Sequence, residues 1–199
     1  MYEKIKLDYD SLEPYIDDKT LDIHYNKHYQ EYIDNLNSLL KKNNYDYRYS
    51  LEELATRIDI FPIEDRAEIL YNLGGVLNHE LYFYEMSDKK NNKPLGNLND
   101  FINEEFGSYD NLKQEFKNKA LDLKGSGTVA LILDKGKLKI VKNSNQDTPC
   151  YYRSYPLLCL DMWEHSYYLK YNCDKDKYID NWFLVLDFNK VENKFNNYN

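Results

Sequence analysis

Histidine and arginine are both scarce in this chain, at four residues each among 199, and tryptophan occurs only twice. Cysteine appears three times, at Cys150, Cys159 and Cys173, an odd number without a C-x-x-C pair. That argues against structural disulfides and fits a reduced, cytoplasmic protein whose cysteines are small buried apolar residues. No run approaches the roughly eighteen consecutive apolar residues of a membrane span, so no membrane association is expected. Positive charge is in deficit: 26 Lys and Arg against 34 Asp and Glu leave a formal net charge of −8. A nucleic-acid surface is therefore not expected. The N-terminus, M-Y-E-K-I-K-L-D-Y-D, has neither the apolar core of a secretory signal nor the Arg-rich, acid-poor character of a transit peptide. No internal repeat is visible.

What is present is a globular composition, 42% apolar, with 21 tyrosines. Tyrosine, lysine and asparagine together point to an AT-rich coding sequence, so a single Tyr or Lys says little about function. Apolar positions three or four apart predict a long amphipathic helix over residues 20–40, with Asp17 or Asp18 as its N-cap. Ser50 with Glu53 three positions later predicts a capped short helix at 51–56. After Pro62, a second long helix is predicted from Ile63 to Met86. It contains Gly74-Gly75, each costing a helix about 1 kcal/mol relative to Ala, as though something must approach the backbone there. Residues 87–100 form a polar linker with Pro94 and Gly96. Beyond it, helices are predicted at 98–106 and 109–123, and a β-hairpin around Asp134-Lys135-Gly136. A third strand follows at Tyr155–Leu160 and a last helix at Tyr178–Val191. The fold class expected is α+β: an α-helical hairpin domain at 1–88, then a domain at 89–199 with a small antiparallel sheet.

All four histidines lie in segments suited to holding a metal. His24 and His28 share a spacing of four in H-Y-N-K-H, which places both on one helical face, with Tyr32 at the next step. His79 sits in the second long helix, and His165 follows Asp161 by four in D-M-W-E-H. Three imidazoles and one carboxylate suit iron, manganese or zinc better than copper(I) or calcium. Each motif alone is weak, since such His pairs are often incidental and Asp161 could be a helix cap. A zinc protease is disfavoured because no Glu follows the first His of H-Y-N-K-H to act as general base.

Taken together the motifs resemble one family, the iron/manganese superoxide dismutases. The resemblance spans Y-D-S-L-E-P-Y-I-D, H-Y-N-K-H-Y-Q-E-Y, N-H-E-L-Y, F-G-S-Y-D-N-L-K-Q-E-F, G-S-G, N-Q-D-T-P and D-M-W-E-H-S-Y-Y-L-K-Y, almost the whole chain. It implies that His24, His79, Asp161 and His165 ligate one metal ion. It also implies that His28 and Tyr32 stand at the mouth of a substrate channel, with Tyr32 and Gln146 hydrogen-bonding toward the metal site. Trp163 and Gly75 are placed beside the site. Glu164 and Tyr168 are placed at a two-fold homodimer interface. Gly75 together with Gln146 matches the manganese pattern, with iron also admitted, and the paired glycines, lacking side chains, would make room for Gln146. The activity implied is conversion of superoxide to dioxygen and hydrogen peroxide by redox cycling of the metal.

The sequence departs from the family pattern in three places. Thr128 and Ala130 occupy positions where family members carry tryptophan, and Phe83 takes a third. Asp174 takes the place of an arginine at the channel entrance, with Lys27, Lys170 and Lys175 as alternative sources of positive charge. These losses motivate an alternative expectation, a metal-binding dimer of the same fold with weak or no dismutase activity. A zinc hydrolase ranks third.

Overall fold

The computed structural model describes residues 1–198. The chain is α+β, with helices throughout its first half and a three-stranded antiparallel sheet in the second. The first long helical rod comprises α1 (Asp18–Ile23), a π-helical turn (His24–Tyr29) and α2 (Gln30–Lys42). Asp17 caps it: its carboxylate accepts the Thr20 N–H at 2.9 Å and the Thr20 hydroxyl at 2.6 Å. Ser50 and Glu53 form the reciprocal capping box of α3 (Leu51–Ala55).

The second rod, α4 (Ile63–Tyr84), starts after Pro62 and is buried along most of its length from Ile69 to Phe83. It packs on α2 on one side and on the sheet's third strand on the other. A helix buried on two faces loses the polar stripe of a surface helix, which explains the nearly continuous run Leu73 to His79 of buried residues.

Two helices, α5 (Gly96–Phe106) and α6 (Tyr109–Leu121), lead into β1 (Gly127–Asp134) and β2 (Lys137–Ser144). The turn between the strands places Lys135 at φ 51° and Gly136 at φ 76°. Two successive left-handed residues make the tight hairpin turn that D-K-G announces. The third strand is β3 (Tyr155–Asp161), and the sheet order is β2-β1-β3. The central strand β1 is buried almost end to end, whereas β2 alternates exposed and buried, so the core lies against β1 and β3.

One expectation fails. The single helix predicted over Tyr178–Val191 is two helices, α8 (Lys175–Phe183) and α9 (Phe188–Asn196), preceded by the one-turn α7 (Tyr168–Tyr171). The break has two causes. Asp187 caps α9 by accepting the Asn189 N–H, and Leu184–Asp187 pairs instead with the chain just past α4: the Ser87 N–H bonds Val185 and the Asp187 N–H bonds Glu85. Tertiary hydrogen bonds outcompete the helical ones. The linker helix also starts at Gly96 rather than at 98, and α4 ends at Tyr84, with Met86 bridged to Leu186.

Candidate metal centre

Three segments far apart in the chain deliver His24, His79 and the pair Asp161 and His165 to one place. His24 opens the π-turn, His79 lies on α4 with its ring against Tyr29 and Tyr32 of the first rod, Asp161 ends β3, and His165 sits in the short 3-10 turn Glu164–Ser166. Their candidate ligand atoms all lie within 4.8 Å of one another. His24 Nε2 and His165 Nε2 are each 3.2 Å from Asp161 Oδ2, and His79 Nε2 is 3.9 Å from it.

Local hydrogen bonds fix these orientations. His79 Nδ1 lies 2.6 Å from the Gly75 carbonyl, one turn back on α4, so Nδ1 carries the proton and Nε2 presents its lone pair inward. The Asp161 carboxylate accepts the Trp163 N–H at Oδ1, 2.7 Å, while its main-chain carbonyl accepts the Ser166 and Tyr178 hydroxyls at 2.8 Å each. Oδ2 is thereby left to face the imidazoles.

Burial depresses His24 to about 4 and His79 to about 3, keeping both neutral at physiological pH. Burial pushes the Asp161 carboxyl up, but the facing His165 and His24 outweigh it and hold the group well below the usual carboxylate range. Two neutral imidazoles with depressed pKa values beside an ionised carboxylate are the protonation states a metal ligand set requires. His24 Nε2 and His79 Nε2 are buried without a hydrogen-bond partner among the described residues. Orphaned inward lone pairs are costly in a core unless an ion takes them. The residues present fit one mixed nitrogen and oxygen metal site.

Above the ligands a cavity of about 470 Å³ opens to solvent, lined in part by His28, Tyr32, Trp163, Glu164, His165 and Lys175. His28 stacks on His165, ring centroids 4.1 Å apart, and Trp163 stacks on His165 at 5.8 Å. Gln146 Nε2 donates to the Tyr32 hydroxyl at 2.9 Å, and Asn78 donates to the Asp147 carbonyl at 3.0 Å and to Gln146 Oε1 at 3.5 Å. Burial raises the Tyr32 phenol above its ordinary value. Glu164 and Tyr168 lie exposed near this opening.

The glycine pair has a different division of labour from the one expected. A Cβ on Gly75 would collide with the Tyr32 ring, and one on Gly74 with the Gln146 main-chain carbonyl. Space is reserved for a phenol and for a backbone, not for the glutamine side chain.

Sequence reasoning missed the tyrosines that stand around the site. Thr128 is buried and accepts from Asn143 Nδ2 across the β1–β2 ladder at 3.1 Å, and Ala130 is fully buried. Around His24 the wall is built by Tyr82 and Phe83, at 5.0 and 4.9 Å between ring centroids. The Tyr82 and Tyr178 hydroxyls meet at 3.2 Å. With 21 tyrosines in the chain, no local signal marked these two.

Comparison with known proteins agrees with this geometry. Residues 1–87 match the family model of the iron/manganese superoxide dismutase alpha-hairpin domain, and residues 94–194 match that of the C-terminal domain. A protein of Bacillus anthracis named superoxide dismutase (Mn) 2 is 38% identical over 192 residues, covering 96% of this chain and 92% of its own. One of Listeria monocytogenes named superoxide dismutase (Mn) is 36% identical, covering 96% of this chain and 95% of its own. On the strength of both domain matches and the three-histidine, one-aspartate cluster, the chain belongs to the iron/manganese superoxide dismutase family.

Proposed function

We propose that this protein is a manganese superoxide dismutase, converting two superoxide ions and two protons to dioxygen and hydrogen peroxide. The observation that carries the reading is the convergence of His24, His79, Asp161 and His165 beneath an open cavity. The manganese named for the relatives suits this donor set and the Gly75 and Gln146 pattern, with one ion per subunit. A bound redox-active ion supplies the one-electron exchange with superoxide.

The chain's own residues do the rest. Asp161 contributes the anionic ligand, which favours the higher oxidation state of a bound ion. Superoxide reduction consumes protons, so a proton must be kept close to the ligands. Tyr32, its phenol raised by burial, holds a proton on Oη at neutral pH, and the Gln146 amide donates to the same oxygen and fixes its direction. His28 and Tyr32 both line the cavity and limit what reaches the ligands. Trp163 covers one face of His165.

The assembly belongs to the same proposal. Glu164 and Tyr168, exposed near the cavity mouth, with the adjacent Leu169 also exposed, are suited to a homodimer interface. The chain divides into an α-hairpin domain at 1–88 and an α+β domain at 89–199, and works in the cytoplasm as an antioxidant enzyme. No helix among the described residues is long and apolar enough to cross a membrane.

The test is superoxide decay with apoprotein reconstituted separately with manganese and with iron. Fast decay with manganese alone supports the assignment, and equal rates move it to dual metal use. No decay with either fully loaded form sinks it in favour of a metal-binding relative without dismutase activity. Sedimentation of the native chain and of Glu164→Ala checks the dimer, which the variant is expected to weaken.

A further inference from the structure

A second cavity, of about 460 Å³, shares no lining residue with the one above the metal ligands. Its size falls within the roughly 300–1,000 Å³ of small-molecule sites. Both halves of the chain close it. Glu52 of α3 and Glu80 of α4 line it together with the buried Leu77 and Leu81. Arg153, Tyr155 of β3 and Lys194 of α9 line it from the second half.

Four charged side chains therefore face one space, two of each sign, and none is in an ion pair among the described residues. Glu52 serves the first turn of its helix, but local structure does not explain the others. Arg153 follows the 3-10 turn Pro149–Tyr152 at φ 58°, a left-handed position that glycine or asparagine fills at less cost. Glu80 is half-buried in a wall that includes Leu77 and Leu81, where an apolar side chain would avoid the desolvation of a carboxylate. Lys194 lies over the Tyr155 ring, its ammonium 4.4 Å from the ring centre, and Tyr198 packs on the same ring at 4.9 Å between centroids. An ammonium and two phenol rings are thus ordered before any ligand arrives, which lowers the entropy cost of binding.

The signs of the charges select the ligand. A simple cation would leave Arg153 and Lys194 unanswered, and a simple anion would leave Glu52 and Glu80 so. A molecule carrying both charges answers all four, and an aromatic body suits the tyrosines and leucines between them. We propose that this cavity binds a small zwitterion with an aromatic body, the class of the free aromatic amino acids. Its ammonium faces Glu80 and Glu52, and its carboxylate faces Arg153 and Lys194. Such a ligand bridges the two halves of the chain and binds the folded form alone, so it stabilises that form by mass action. The proposal does not depend on the dismutase reading.

The experiment is calorimetric titration of the full-length, metal-loaded protein with L-phenylalanine, alongside thermal melts. Phenethylamine, which lacks the carboxylate, and hydrocinnamate, which lacks the ammonium, are the comparison probes. L-phenylalanine is expected to bind at a single site and raise Tm, with both comparison probes several-fold weaker. Arg153→Ala and Glu80→Gln should each weaken L-phenylalanine several-fold, while Glu104→Gln, exposed and outside the cavity, leaves its affinity unchanged. Arg153 is exposed, so its variant should melt with unliganded wild type, and lost binding then reports the site and not misfolding. Absence of binding by L-phenylalanine, L-tyrosine and L-tryptophan overturns the proposal. So does equal binding of either single-charge probe, or binding that neither Arg153→Ala nor Glu80→Gln weakens. Superoxide decay measured on the same preparation judges the dismutase reading separately.

Discussion

Single side chains carry strict demands in this core, and Gly75 is the sharpest. It lies in the middle of α4, where glycine costs helix stability, because the Tyr32 ring occupies the space of its missing Cβ. Gly75→Ala is expected to gain helix propensity yet destabilise the protein by about 1–3 kcal/mol through overpacking. It should also displace Tyr32, so urea unfolding and superoxide turnover should fall together. A stable variant with full activity would show that the ring has room to move. Glu85 makes a different demand. It is fully buried, its Oε2 accepts the Cys159 N–H at 2.9 Å, and its Oε1 has no partner among the described residues. Burial raises its carboxyl well above the ordinary 4.5. The folded protein therefore keeps a proton that the unfolded chain releases above about 4.5, and stability from this group falls as pH rises from there through the folded pKa. Glu85→Gln, neutral at every pH, is expected to be more stable than wild type at pH 7 by on the order of 1–3 kcal/mol. The two should converge near pH 4, which thermal melts across that range would check.

At the scale of elements, the rods and strands were largely legible because their signals are local. Asp17, Ser50 with Glu53, Pro62 and Lys135-Gly136 each act within a few residues of themselves. The π-turn was not legible, since nothing in H-Y-N-K-H distinguishes i→i+5 from i→i+4 bonding before the turn packs against α4. That turn matters: it lets His24 enter the core at 1% exposure while His28, four residues later, reaches the cavity. The same limit hid the break between α8 and α9, made by backbone partners at Glu85 and Ser87. The ligand set was readable because its three histidines and one aspartate recur at family spacing, but the wall behind it was not. Thr128 and Ala130 showed only that bulk is missing from β1; that Tyr82 and Phe83 of α4 stand against His24 depends on tertiary packing. The hydroxyl chain Tyr82–Tyr178–Asp161 carbonyl makes a graded test. Tyr82→Phe removes one end of the chain and is expected to cost about 0.5–1.5 kcal/mol. Tyr178→Phe strands the Tyr82 hydroxyl and takes a donor from Asp161, and should cost more, about 1–3 kcal/mol, with weaker metal retention. Equal costs for the two would mean that the chain does not support the ligand strand.

Across the whole molecule, the metal site is where the two halves of the chain are joined. His24 and His79 come from the helical rods, and Asp161 and His165 from the strand end and turn that follow the sheet. An ion bound by all four cross-links the halves in the folded state only, because the unfolded chain does not hold these residues together. Binding free energy is then folding free energy. With free metal about a thousandfold above Kd, the gain is about 4 kcal/mol. For a chain of this size each kcal/mol moves Tm by roughly 2–4 °C, so stripping the metal should lower Tm by roughly 8–16 °C. The apoprotein should still fold, since the core beneath β1 and around α4 is apolar and closed without the ligands. Asp161→Ala sharpens the test. It leaves three imidazoles without the carboxylate that faces them, so the variant should melt near the apoprotein's temperature whether or not metal is added. If chelated and metal-loaded wild type melt together, the ion does not bridge the halves, and the four residues converge for a reason other than holding it.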